Sequence, residues 1–136
     1  MEQNKTKRRL GYALSGLVIA FMLFDGALKL VPLDVVLQAS ADLGLPATPA
    51  FARLLGALGL IFTALYALPR TSVLGAVLLT AYMGGTVATH LRIGNPLFTH
   101  VLFGVYLAIF AWGGLYLRDR RLRALFPLRT DEKVDA

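Results

Sequence analysis

No cysteine occurs in the 136 residues. That excludes disulfides, thiolate metal sites, iron–sulfur ligation and thiol redox chemistry. Charge is scarce as well: Asp, Glu, Lys and Arg make up 16% of the chain, against about 25% in an ordinary soluble domain. With 57% hydrophobic residues, the chain is too apolar to be disordered. It is also too short to hide so much apolar surface from water. A Gly-rich phosphate loop, a nucleophile elbow and paired catalytic carboxylates are all missing, so the sequence identifies no reaction. The charge present leans one way, 14 Lys and Arg against 8 Asp and Glu. A basic excess can mean nucleic acid. Here its placement beside apolar stretches explains it as a membrane flank instead, and nucleic acid is not expected as a partner.

Four stretches, over residues 10–31, 49–68, 72–93 and 96–117, are each about 20 residues long. That is the length a helix needs to cross a hydrocarbon core roughly 30 Å thick. They lack the apolar/polar alternation of a barrel wall. Punctuation agrees with helices. Thr48-Pro49 and Asn95-Pro96 read as N-caps followed by proline at the first helical position. Pro69 stops the second stretch, Thr71 or Ser72 can cap the third, and Gly94 suits a C-terminal cap with positive φ. The connections at 68–72 and 93–96 are tight, so the last three spans run antiparallel. Between Leu33 and Leu43, the residues Leu33, Val36, Leu37 and Leu43 recur at near-helical spacing. They read as a short amphipathic helix on the membrane surface, although an irregular loop fits the same residues. The expected fold class is all-α: a four-transmembrane-helix antiparallel bundle with a short amphipathic helix in the first outer loop. Residues 1–9 form a basic cytoplasmic N-terminus, 10–118 the membrane domain and 119–136 a basic cytoplasmic tail. The polar ends 1–9 and 130–136 are expected to be loose.

Orientation follows from the basic residues. Lys5, Lys7, Arg8, Arg9, Arg70, Arg118, Arg120, Arg121, Arg123, Arg129 and Lys133 fall on one side, and only Lys29, Arg53 and Arg92 on the other. The positive-inside rule then puts both termini in the cytoplasm of a multi-pass protein of the cell inner membrane. Trp112 and Tyr116 would lie near the inner interface, and the tail from Arg118 to Arg129 against anionic headgroups. A cleaved signal peptide competes for the first span. The Ala39-Ser40-Ala41 sequence lies too far beyond the apolar run for that, and Lys29 intervenes. Small residues at Ala52, Gly56 and Gly59, and at Ala81, Gly85 and Thr89, offer faces where helices approach closely.

Ionisable side chains inside spans are costly and mark functional hypotheses. Asp25 and Lys29 share one helix face, as do Thr86 and His90. His100 follows Pro96 by four residues, and Arg53 lies one turn inside the second span. At 1.5 Å per residue Asp25, His90 and His100 lie roughly 5–9 Å below the outer helix ends, Arg53 at a similar depth and Asn95 beside them, and nothing comparable is expected in the inner half. One reading is a register-setting layer: Lys29 and Arg53 snorkel, Asp25 pairs with Lys29, and the histidines bond between helices. The other is a ligand pocket built from Asp25, Lys29, Arg53, Thr86, His90, Asn95 and His100, able to hold a small anion or polarise a quinone carbonyl. Two histidines at one depth could ligate a haem iron, but a single pair without a demonstrated porphyrin-sized gap argues against haem. Two histidines and a lysine-paired aspartate also make a poor zinc set.

Three segments carry a family resemblance: Phe24-Asp25-Gly26-Ala27-Leu28-Lys29-Leu30, Gly56-Ala57-Leu58-Gly59-Leu60, and the run 84–96 with its small residues, His90-Leu91 and Gly94-Asn95-Pro96. With these the chain resembles the DoxX-like family of small four-helix membrane proteins over about 10–118. Asn95 stands where the family usually has Asp, which keeps a capping side chain and loses its charge. The resemblance implies an inner-membrane bundle. It further implies a link, seen in some relatives, to quinone-coupled sulfur oxidation or membrane oxidoreductase complexes, and in distant ones to assembly of other membrane proteins. Two functions follow as expectations. One is a quinone-linked subunit of a membrane redox complex. The alternative is a non-enzymatic scaffold or assembly factor that binds a membrane partner or a second copy of itself.

Overall fold

Apolar stretches of spanning length become helices because a backbone in hydrocarbon must satisfy its own hydrogen bonds. The computed structural model describes residues 2–31 and 33–129. Met1, Pro32 and the end of the tail, 130–136 with Lys133, lie outside them. The elements are α1 (Glu2–Leu30), α2 (Asp34–Asp42), α3 (Pro49–Ala67), α4 (Ser72–Arg92), a π-helical turn (Leu97–Val101), α5 (Phe103–Arg118) and α6 (Arg120–Leu125). No strand occurs among the described residues. Four segments, Glu2–Leu30, Pro49–Ala67, Ser72–Arg92 and Leu97–Arg118, are long and apolar enough to cross a membrane.

The expected antiparallel bundle is what forms. α1 packs on α3 and α5, and α4 closes the square on the same two neighbours. Both described ends therefore lie at one end of the bundle, called here the terminal end. α2 and the 93–96 turn lie at the other. Large side chains such as Leu17, Phe24, Ile61 and Phe98 stay more than half exposed, as helices surrounded by lipid require. With lipid as apolar as the side chains, contact between helices depends on close fit. Added Cβ atoms measure that fit. At Gly56 one would meet the Gly26 carbonyl oxygen at 2.9 Å, and at Gly11 the Gly114 carbonyl oxygen at 2.8 Å. A Cβ on Gly75 would run into the backbone of Tyr66.

Several local expectations change. α1 does not begin near residue 10. It continues back through the basic segment to Glu2, because 2–9 holds no proline or glycine to stop it and good helix formers prolong the span. Thr48 does cap α3, its hydroxyl oxygen accepting from Phe51 N, with Pro49 in the first turn. Thr71 makes no such cap; its hydroxyl donates back to the Leu65 carbonyl at 2.7 Å. Asn95-Pro96 does not start a regular helix. The Pro96 carbonyl accepts from both His100 N and Val101 N, which widens the turn into a π-helix, and α5 begins only at Phe103. Gly94 has the predicted positive φ, 71°.

The terminal half also holds a polar centre that sequence reasoning did not find. Tyr66, fully buried, donates its hydroxyl to the Ala111 carbonyl at 2.7 Å and shares a 2.7 Å bond with Ser15 Oγ. It ties α3 to α5 and α1. Tyr66→Phe leaves the other two groups without this partner. The expected cost is about 1–2 kcal/mol, near the sum of two interhelical bonds at about 0.6 kcal/mol each, read as a lower midpoint in sodium dodecyl sulfate denaturation.

Candidate functional site

Asp25 and Lys29 lie one turn apart on α1, and their side chains form an ion pair. α1 and α4 sit at opposite corners of the square, so that face looks across the bundle axis at α4. From α4, Tyr82, Thr86 and His90 point into the same space; from the π-helical turn, His100 does. The result is a cavity of about 660 Å³ at the end of the bundle opposite the termini. Its wall is mostly apolar, with Phe21, Phe51, Leu55 and Phe103 around it, Met22, Met83 and Leu107 at its base, and Val35, Val36 and Ala39 of α2, with Leu43 just past its end, on top.

The stripe of small residues on α4 serves this space. Ala81, Gly85 and Thr89 were expected to meet another helix, yet all three line the cavity, and a Cβ on Gly85 would meet nothing within 4 Å. The stripe on α3 does pack: Ala52, Gly56 and Gly59 are all buried. Small residues therefore close one face of the bundle and open another.

His90 and His100 approach edge-on with ring centroids 5.8 Å apart. The Nδ1 atom of His90 bonds the Asn95 amide at 2.7 Å, and that of His100 bonds the Thr99 hydroxyl at 2.8 Å. Each ring is thus held through Nδ1 by a neighbour in sequence, leaving Nε2 uncommitted to these contacts. Asn95 does not line the cavity; it orients His90. Thr86 lines it while its hydroxyl donates to the Met83 carbonyl at 2.8 Å. Arg53 is not brought in. Its Nε reaches the Leu30 carbonyl at 3.4 Å, outside the cavity wall, because the start of α3 turns that position toward the end of α1. The structure thus gathers Asp25, Lys29, Thr86, His90 and His100, places Asn95 behind them and leaves Arg53 aside.

Two contributors were missed from sequence. Tyr82 lines the cavity with the Lys29 ammonium 6.0 Å from its ring centre, and its hydroxyl donates to the Leu55 carbonyl at 3.4 Å. A tyrosine inside an apolar run gives no periodic signal, though its spacing of four from Thr86 and eight from His90 put it on their face. The other is α2, which is a helix as one reading had it, but one that covers the cavity with Ser40 and three apolar side chains. Arg92 fastens it, Nη2 donating to the Leu43 carbonyl at 2.6 Å. Arg92→Ala is expected to raise amide exchange across α2 about threefold, since an exposed bond is worth well under 1.5 kcal/mol, while α3 stays unchanged in the same hydrogen-exchange experiment. Among the described residues, no three His, Asp or Glu side chains come close enough to hold a metal ion.

Chemically, the cavity offers a cation beside its own carboxylate, two imidazoles and a phenol along one polar wall, with apolar space beneath. It suits an amphipathic molecule with a hydrogen-bonding head and an apolar body. The model of the DoxX-like family matches residues 13–114, which contain every element of that wall. No curated protein and no solved structure matches the chain.

Proposed function

The chain belongs to the DoxX-like family, and from that premise we propose that it is a quinone-linked subunit of a redox complex in the cell inner membrane. The observation that carries the reading is the cavity itself: Lys29, His90 and His100 converge on about 660 Å³ of otherwise apolar space. A quinone head group needs donors at its carbonyl oxygens and an apolar surround for its ring and chain. Here Lys29 Nζ is the charged donor, held in place by Asp25. The imidazoles of His90 and His100 are the groups able to pass a proton at neutral pH. Tyr82 flanks the same wall, and Thr86 narrows it. The Lys/Arg bias toward the terminal end supports both termini in the cytoplasm, which puts the cavity near the outer leaflet.

Isothermal titration of the purified protein with ubiquinone and menaquinone analogues tests this reading, together with quinol oxidation by membranes of a deletion strain. Saturable heat with one analogue and slowed oxidation are expected. No heat with either, and unchanged oxidation, would reject it. One observation favours the scaffold reading as a second: Cβ atoms added at Gly16 and Gly84 would meet nothing within 4 Å, leaving one open notch on each of α1 and α4 where a partner helix can approach closely. Crosslinking in native membranes separates the two. A stoichiometric partner that survives replacement of both Lys29 and His90 supports the scaffold, and capture of monomers alone opposes it.

A further inference from the structure

Arg118, the last residue of α5, does not spread onto the surface with the other basic residues of the terminal end. Its guanidinium lies between two tyrosine rings, with Cζ 5.2 Å from the centre of Tyr12 and 5.9 Å from that of Tyr66. Its Nε and Nη2 atoms are shielded from solvent, and neither has a hydrogen-bond partner. The rings offset part of the positive charge, and the Tyr66 hydroxyl is engaged by Ala111 and Ser15, so Nε and Nη2 go without the acceptors that shielded N–H groups require. Shielding two N–H groups of a half-buried cation without acceptors is costly. Among the described residues the only ion pair is the distant one between Asp25 and Lys29, and the nearby Asp119 carboxylate accepts instead from Arg121 N.

The unpaired atoms are informative. Nε and Nη2 form the side-on edge of the guanidinium, whose two parallel N–H bonds match two oxygens of a phosphate. The span Leu97–Arg118 has 22 residues, about 33 Å at 1.5 Å each, so its end falls where the hydrocarbon core gives way to lipid headgroups. Tyr12, which covers the guanidinium on α1, is 57% exposed. The guanidinium thus sits beside a ring that itself reaches the outer surface of the bundle. Exposed Arg8 lies one turn before Tyr12 on the same face of α1, and Arg120 and Arg121 are exposed on α6. The surroundings therefore favour a net negative headgroup over a zwitterionic one.

We propose that Arg118 is a specific site for the phosphate of an anionic phospholipid, which enters past Tyr12 and takes the guanidinium edge at the terminal end of the bundle. The bound headgroup pairs the half-buried cation and joins α5 to α1 where Gly11 and Gly114 touch.

The test is lipid retention by native mass spectrometry, after extraction from nanodiscs of equal phosphatidylglycerol and phosphatidylcholine. Wild type is expected to carry phosphatidylglycerol, and Arg118→Gln about tenfold less, the loss of one charge-assisted bidentate contact. Removing Arg120 and Arg121 together, both to Gln, is expected to leave the bound lipid in place, and excess inorganic phosphate should not displace it. Equal retention by Arg118→Gln overturns the proposal. Loss on removing the Arg120 and Arg121 pair alone shows diffuse attraction and overturns it too. Displacement by inorganic phosphate shows a soluble-anion site rather than a lipid site. If Arg118→Gln fails to fold, Arg118→Lys replaces it: the charge remains, the side-on edge is gone, and undiminished retention overturns the proposal equally.

Discussion

Gly75→Ala is expected to destabilise the bundle by about 3 kcal/mol, the upper part of the range for forcing one extra group into a packed interior. The reason is what the new methyl meets. At Gly26 the nearest atoms are the branched end of Leu60, a side chain that can rotate. At Gly75 they are N and Cα of Tyr66 and the carbonyl carbon of Leu65, which cannot yield without moving α3. Tyr66 in turn holds Ser15 and the Ala111 carbonyl, so a displaced α3 strains contacts to α1 and α5 as well. Gly84→Ala is the matched control, since nothing lies within 4 Å of its added Cβ. The denaturation midpoint in mixed detergent should fall sharply for Gly75→Ala and stay near wild type for Gly84→Ala. Equal midpoints would mean that the α3–α4 crossing is looser than the structure has it.

Lys29→Met is expected to weaken binding of a quinone analogue by about tenfold or more, the range for removing a hydrogen bond from a charged donor. The substitution also strips Asp25 of its cation, so a change in folding must be separated from a change in binding. Converting Asp25 to Asn in the same protein restores a neutral pair of similar shape. The double variant should therefore recover the wild-type denaturation midpoint while binding remains weak. His90→Phe keeps the volume of the ring and removes its proton-bearing nitrogens, and it should reduce binding in the same titration. If Lys29→Met and His90→Phe both bind with unchanged heat, the polar wall serves only to set helix register. The scaffold reading would then stand alone.

The cavity was legible in part because helix periodicity is strict. Residues four apart share a face, so Asp25 with Lys29 and Thr86 with His90 could be paired from spacing, and distance from the helix ends set a common depth. The same rule would have added Tyr82, had an aromatic residue in an apolar run been counted as polar. Spacing does not give the rotation of one helix against another. That rotation turns Arg53, which spacing put in the pocket, toward Leu30, and turns Arg118, which spacing put against headgroups, inward between two tyrosines. Nor does spacing distinguish a stripe of small residues that packs, as on α3, from one that leaves room, as on α4. The difference lies in what stands opposite.

From the sequence alone came the number of spans, their antiparallel order and the nearness of the carboxylate, the amine and the imidazoles to one end. Hydrocarbon thickness and backbone hydrogen bonding leave few alternatives for apolar stretches of that length. Only the tertiary structure decided that these groups surround an open space roofed by α2, that Asn95 and Thr99 steady the two rings, and that a second half-buried cation lies at the opposite end. Those outcomes depend on how four cylinders rotate and fit against each other, and in lipid that fit is set by contacts between helices rather than by the hydropathy of any one of them.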